Sequence, residues 1–332
     1  VHGTFTVTQF MYGDVTGNGS VSPYDATWVL DCVATELVGG TSVFPVETIT
    51  PPWSTVPLTP EEAREVADVD DDGAITANDA VVILRYVVGL VPDLPLPVVP
   101  PSPSATLTTA ALDITQTSER PGALITVSLD ASAMPDVHAG ELVLEFDAAL
   151  LRPVGVSLGG DGASQPLLTR RVGDGRIAVA FASVRPVASG SALDVTFQVS
   201  RAISAPTDGA IRATHLRLNR SLIATTFAYA FHVEPFQTRL MTNYPNPFNP
   251  ETWIPFELSQ DADVSVRIYG LDGSIVRTLD LGYQPMGEYR ARESAAYWDG
   301  RNDVGERVAS GVYVYELRAG DQRDVKRMVI SK

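Results

Sequence analysis

The feature that most constrains this chain is an internal repeat, in which Asp14, Gly19, Val21, Asp25, Ala26 and Leu30 recur 54 positions later as Asp68, Gly73, Ile75, Asp79, Ala80 and Leu84. Each copy reads as an oxygen-rich loop followed by one helix. A hard cation such as calcium takes about six to eight oxygens, and the helix-flanked loop that supplies them spaces donors at alternate positions, turns on a midway glycine and closes on an acid. In the second copy Asp68, Asp70 and Asp72 supply side-chain oxygens, Gly73 makes the turn, Ala74 offers its carbonyl, Thr76 can hold a water and Asp79 closes the site from the first turn of its helix. The first copy places Asp14, Thr16, Asn18, Gly19, Ser20, Ser22 and Asp25 in the same positions. Two calcium sites are expected, the first weaker because it has two carboxylates where the second has four.

A chain of 332 residues suits two or three domains, each able to bury its own core. A net charge of -16 argues against nucleic acid or an anionic membrane surface as partner. Part of that charge is local: seven acids face the single Arg64 between Glu61 and Asp72, as a cation site requires. Cys32 is the one cysteine, so no intrachain disulfide forms and cysteine usage does not reveal the compartment. Calcium supplies that clue, since weak loops fill where the free metal is plentiful, outside cells. No stretch approaches the roughly 18 consecutive apolar residues of a membrane helix, and a start at Val1 reads as a processed or excised mature form.

The expected organisation is an N-terminal strand (1–12), the repeat region (13–92), a Pro-rich linker (93–104) and two β domains (105–235 and 236–332). Between the repeats lies a Thr/Pro-rich insertion ending in Thr59-Pro60-Glu61-Glu62, a capping box with proline at the first helical position, which predicts a short helix to about Ala67. Six prolines between Val91 and Ser104 favour an extended spacer. Beyond it the apolar period becomes two, as in Ile125, Val127, Leu129; Leu142, Leu144, Phe146; and Ile177, Val179, Phe181, the pattern of an antiparallel sandwich. A second run begins near Pro235, with Val264, Val266, Ile268 and Val312, Val314. Thr4–Phe10 reads as a strand without a visible hairpin partner; it pairs within its own chain, with a missing upstream domain, or with a neighbouring subunit's sheet edge.

A duplicated calcium loop closed by Asp, each copy followed by a helix, resembles a type I dockerin over Gly13–Leu90. The resemblance implies a protein-binding surface at Pro23, Tyr24, Asp31 and Cys32 in one repeat and at Ala77, Asn78, Arg85 and Tyr86 in the other, which differ from the Ser-Thr and basic pairs common in the family. The first β domain resembles a cohesin, the dockerin's receptor, through the segments 121–127, 140–147 and 174–183; there Ala178 and Ala180 are expected to face outward as a smooth patch that a helix can approach. The last domain resembles the immunoglobulin-like domain of hook-capping proteins and type IX secretion sorting tails, through Tyr244-Pro245-Asn246-Pro247-Phe248-Asn249-Pro250, Trp298-Asp299-Gly300-Arg301-Asn302 and Ser310-Gly311-Val312-Tyr313-Val314-Tyr315. That resemblance implies secretion or surface display in a bacterium. The expected fold is thus multidomain and mainly β, a small α-helical EF-hand-like dockerin plus two β-sandwiches.

No catalytic arrangement accompanies these domains: His2, His138, His215 and His232 are scattered, and neither a nucleophile elbow nor a phosphate-binding glycine loop is present. His215, alternating with Leu216 and Leu218, is expected to face solvent, and Cys32 to be a partly buried inert thiol. The expected function is non-enzymatic, calcium-dependent assembly outside the cell. With plug and socket in one chain, binding can occur within the chain, close a ring or propagate head to tail between copies, and the stiff linker favours the filament. The competing readings are a scaffold or adaptor showing its two modules to different proteins, and a fragment of a larger secreted enzyme.

Overall fold

The computed structural model describes residues 11–42, 44, 58–96, 111–116, 119–131, 134, 136–159, 166–187 and 191–331. The strand expected at Thr4–Phe10, much of the insertion and most of the Pro-rich linker lie outside the described residues. The chain forms two compact units, one of residues up to 200 with 208–232, the other of 201–207 with 233–332. The repeat region and the first sandwich therefore share one unit.

Three helices come first: α1 (Pro23–Leu37), α2 (Pro60–Ala67) and α3 (Ala77–Val87). Each start is written in the sequence. In α2, Thr59 Oγ1 accepts from Glu62 N at 3.2 Å while Glu62 Oε2 accepts from Thr59 N at 2.6 Å, with Pro60 at the first position. α1 packs against α3. The buried residues Ala26, Val29, Leu30 and Val33 of α1 and Ala80, Ile83 and Leu84 of α3 recur three or four apart, the spacing that places side chains on one helix face.

The sandwich of the same unit has strands β1 (Ala111–Gln116), β2 (Leu124–Asp130), β3 (Ala139–Phe146), β4 (Leu151–Leu158), β5 (Leu167–Gly173), β6 (Arg176–Ala182), β7 (Ser191–Val199), β8 (Thr207–Leu218), β9 (Ser221–Leu222) and β10 (Ala228–Val233). One sheet runs β1-β2-β7-β4 and the other β10-β8-β3-β6-β5, with β9 paired to β8. Between them lie Ile125, Val127, Leu193, Val195 and Phe197 of the first sheet and Leu142, Leu144, Ile177, Val179 and Phe181 of the second, all buried. Phe146 and Phe197 meet with ring centroids 5.1 Å apart. Gly140, opposite Phe181 in the β3–β6 register, leaves room for that ring, which a Cβ would strike.

The second unit contains β11 (Arg239–Leu240), β12 (Thr252–Ile254), β13 (Phe256–Leu258), β14 (Ala262–Tyr269), β15 (Ile275–Gln284), β16 (Gly287–Tyr289), β17 (Ala296–Trp298), β18 (Gly311–Ala319) and β19 (Gln322–Ile330). They form sheets β11-β13-β16, β12-β17 and β15-β14-β18-β19. Trp298 and Tyr315 anchor its core, both fully buried with their polar atoms satisfied: Trp298 Nε1 donates to Arg301 O at 2.8 Å and Tyr315 Oη to Met241 O at 2.9 Å. Burial pushes the Tyr315 phenol up to about 12.

Candidate metal centre and docking face

Both loops are shaped by the acid that ends them. Asp79, in the first turn of α3, accepts from Thr76 N at 2.9 Å through Oδ2 and from Val69 N at 3.0 Å and Asp70 N at 3.4 Å through Oδ1. Asp25 of α1 does the same, accepting from Ser22 N and Oγ at 2.9 Å through Oδ2 and from Thr16 N at 3.2 Å through Oδ1. One carboxylate thus reaches back to the residue before its helix and also draws the loop's beginning toward its end. At the other side, Gly19 N donates to Asp14 Oδ2 at 2.7 Å and Gly73 N to Asp68 Oδ2 at 2.9 Å. Both glycines have φ of +87, a conformation that any side chain would strain.

In the second loop, carboxylate oxygens of Asp68, Asp70 and Asp79 lie within 4.8 Å of one another. Burial, followed by the charge of Asp70, pushes the Asp79 carboxyl up to about 8, and burial also raises Asp68. Asp70 is buried and its Oδ1 has no partner, while its Oδ2 accepts from Asn78 Nδ2 at 2.6 Å and from Arg220 Nη2 at 2.7 Å and Nε at 3.1 Å. A buried oxygen left unsatisfied costs about 1–3 kcal/mol. Crowded acids, all offering oxygen, with one oxygen waiting for a partner, fit a calcium ion. Asp72 lies outside this cluster, exposed, with Oδ1 accepting from Ala74 N at 3.0 Å, and Ala74 is exposed beside it.

The first loop resolves its charge differently. Thr16 Oγ1 donates to Asp25 Oδ1 at 2.9 Å and stands 3.3 Å from Asp14 Oδ1, so a hydroxyl takes the place that a third acid has in the second loop. Burial raises the Asp14 carboxyl. Asn18 Oδ1 accepts from Ser20 N at 3.0 Å and Ser20 Oγ at 2.8 Å.

The outer face of the sandwich meets the helices. On β6 the large residues Ile177, Val179 and Phe181 point inward and Ala178, Ala180 and Ala182 point outward, yet the alanines are fully buried. They share a core with Ala139 and Val143 of β3 and with the apolar residues of α1 and α3. α1 lies along β5 and β6, and α3 along β3 and β6. Polar contacts also cross this joint, Thr169 Oγ1 donating to Asp31 Oδ1 at 3.4 Å among them. Glu141 Oε1 accepts from Ala77 N at 2.8 Å at the start of α3, where the helix dipole favours a carboxylate. Asp31 of α1 pairs with Arg171 at 2.5 Å, and Asp70 with Arg220.

Of the expected docking residues, Asp31, Ala77, Ala178 and Ala180 lie in this joint. Asn78 turns back to Asp70 of its own loop, and Pro23 and Tyr24 are exposed, the Tyr24 ring edge-on to Trp28. Arg85 and Tyr86 are half-buried near the end of α3. Cys32 is buried beside Ser42, at 3.1 Å, with burial raising its thiol. His215 corrects an expectation: it faces outward on β8, but its Nε2 stands 3.0 Å from Glu141 Oε2 instead of facing solvent. Arg171 and Arg220 lie outside the motifs, and Glu141 lies in the 140–147 segment with no role assigned to it there. The outer sheet face expected to receive a helix is, in this structure, covered by α1 and α3 of the same chain.

Residues 12–88 match the family "Dockerin type I domain" and residues 246–323 the family "FlgD Ig-like domain". The chain opens with a type I dockerin domain. Type I dockerins bind calcium, and both matched families are non-catalytic interaction modules. No curated protein matches the chain. Similar solved structures include the sixth cohesin of scaffoldin B from Acetivibrio cellulolyticus in complex with a Cel5 dockerin mutant, at 13% identity, covering 38% of this chain and 98% of that one with a TM-score of 0.30. A type II cohesin domain from the cellulosome of the same organism matches at 14% identity over 37% of this chain and 94% of that one, TM-score 0.28. PorZ, a surface component of the type-IX secretion system of Porphyromonas gingivalis, matches at 22% identity over 27% of this chain and 11% of its own length, TM-score 0.20. No described helix is long and apolar enough to cross a membrane.

Proposed function

We propose that this chain is a non-enzymatic, calcium-dependent assembly protein acting outside the cell, whose dockerin domain occupies the outer face of its own cohesin-like sandwich. The observation that carries this reading is the row Ala178, Ala180 and Ala182, which faces away from the sandwich core and is nonetheless fully buried under α1 and α3. Alanine there lets helices approach the sheet closely and loses little side-chain entropy. The residues between Leu96 and Ala111 tether the two modules, and a short tether gives the joint an effective concentration on the order of millimolar when it can span the sites. Calcium at both loops, held through Asp14, Thr16, Asn18, Ser20 and Asp25 and through Asp68, Asp70, Asp72, Ala74 and Asp79, would fix the helices that make the joint.

The same faces can be exchanged between copies, so head-to-tail assembly into a ring or filament is the swapped form of this joint, reached when the intrachain contact opens. An adaptor role toward other proteins requires the same opening, because the closed pair covers the sheet face. Ala180→Arg tests the reading by placing a charge beneath the helices. Unchanged β-sheet circular dichroism with rapid proteolysis of the dockerin is the expected result; unchanged protease resistance contradicts it.

A further inference from the structure

We infer that Arg220, carried by the sandwich, is a positioning residue for the second calcium loop of the dockerin. Arg220 sits in the tight connection between β8 and β9, and that connection is held rigidly. Asn219, at φ 51, accepts from His138 N at 2.8 Å and Ala139 N at 3.1 Å through Oδ1 and donates through Nδ2 to Asp136 O at 3.0 Å. The guanidinium so placed grips Asp70 Oδ2 with two donors, at 2.7 and 3.1 Å, and Asn78 adds a third at 2.6 Å. With Oδ2 saturated, Oδ1 is the oxygen left buried without a partner. Such division of a carboxylate, one oxygen anchored and the other free for a cation, is the arrangement by which outer partners orient metal ligands.

Two effects of Arg220 oppose each other. Its positive charge disfavours a nearby dication, while its fixed hydrogen bonds aim the ligand. The Arg220 side chain is 41% exposed and Asp70 is 0% exposed. Solvent therefore screens the guanidinium charge, and the orientation it imposes on a buried carboxylate remains. Among the described residues the bonds that shape the first loop come from that loop and its own helix, so this aid belongs to the second loop alone. Since Arg220 reaches Asp70 only when the modules are closed, calcium affinity and closure support each other to the same degree. This inference rests on the closed reading.

The test is a calorimetric calcium titration of the full chain after removal of bound metal, in an Asp14→Asn background that leaves the second loop as the tighter site. Loss of an outer partner costs about 10–100-fold in metal affinity. Arg220→Gln is expected at the low end, about ten-fold, because Asn78 still holds Asp70, and Arg220→Lys is expected to recover part of it. The complementary Asp70→Asn background should show the first loop unchanged by Arg220→Gln. Unchanged or tighter binding at the second loop in Arg220→Gln would overturn the role. Closure is checked separately by cutting the chain between the modules and asking whether they co-elute in calcium. Modules that stay together with unchanged second-loop affinity overturn only the Arg220 role; wild-type modules that separate overturn the closed reading and this role with it.

Discussion

The two repeat loops share a backbone and differ in how they settle their charge. In the first, Thr16 spends its hydroxyl on Asp25, and the oxygens are largely satisfied from within. In the second, Asp70 replaces that threonine, cannot donate, and brings a third acid within 4.8 Å of Asp68 and Asp79. The first loop therefore holds its shape largely with bonds of its own, and the second keeps one buried acid oxygen without a partner and leans on the sandwich through Arg220. The difference also places the second loop at the joint, through Arg220 on Asp70 and Glu141 on the start of α3.

The sharpest way to break this comparison is to remove the closing acid from each loop. Asp79→Ala should abolish calcium binding at the second loop at millimolar metal, destabilise the helical region by about 1–2 kcal/mol through the lost N-terminal bonds, and loosen the joint. Asp25→Ala should cost the first site and a similar cap and loosen α1 from β5 and β6, while the Glu141 and Arg220 contacts to the second repeat stay in place. Calcium titration with limited proteolysis reads both; equal exposure of the β3 and β8–β9 side of the joint in the two variants would contradict the assignment of the Glu141 and Arg220 contacts to the second repeat.

A second expectation concerns pH. The Asp79 carboxyl is pushed up from 3.8 to about 8 in the folded, metal-free chain, so the protonated form is the one the fold favours. Its contribution is full below the unfolded value and is lost as pH climbs through about 8, so the metal-free helical region should melt lower as pH rises across that window. Calcium needs the ionised form, so saturating metal should abolish or reverse the trend. Differential scanning calorimetry with chelator and with calcium measures both slopes. The smallest effect is expected from Thr16→Asp, which gives the first loop a third acid: calcium affinity rises roughly ten-fold and metal-free stability falls by on the order of 1 kcal/mol.

Much of this was legible in the sequence. The repeat, the glycine turns and the Thr59–Glu62 cap depend on residues adjacent in the chain, and the alternation on β6 places large residues inward and alanines outward. The joint was harder to read. The unbroken apolar run Ile177–Ala182 marks a strand covered on both faces, and Ala139 and Val143 on the outer face of β3 say the same. None of this names the cover. Glu141 and Arg220 leave no local signal, because their partners Ala77 and Asp70 are distant in sequence and belong to another module. His215 reads as solvent-facing from its alternation and meets Glu141 because a neighbouring strand brings that acid beside it.

The most direct test of the closed dockerin–sandwich pair is to place a protease site within 97–110, cut the purified protein in calcium at low concentration, and measure mass by size exclusion with light scattering. The account predicts that the two pieces co-elute at the mass of one chain, 35.6 kDa, and separate when calcium is chelated. Pieces that separate while calcium is present, or that run together only as larger species whose mass grows with concentration, would contradict it.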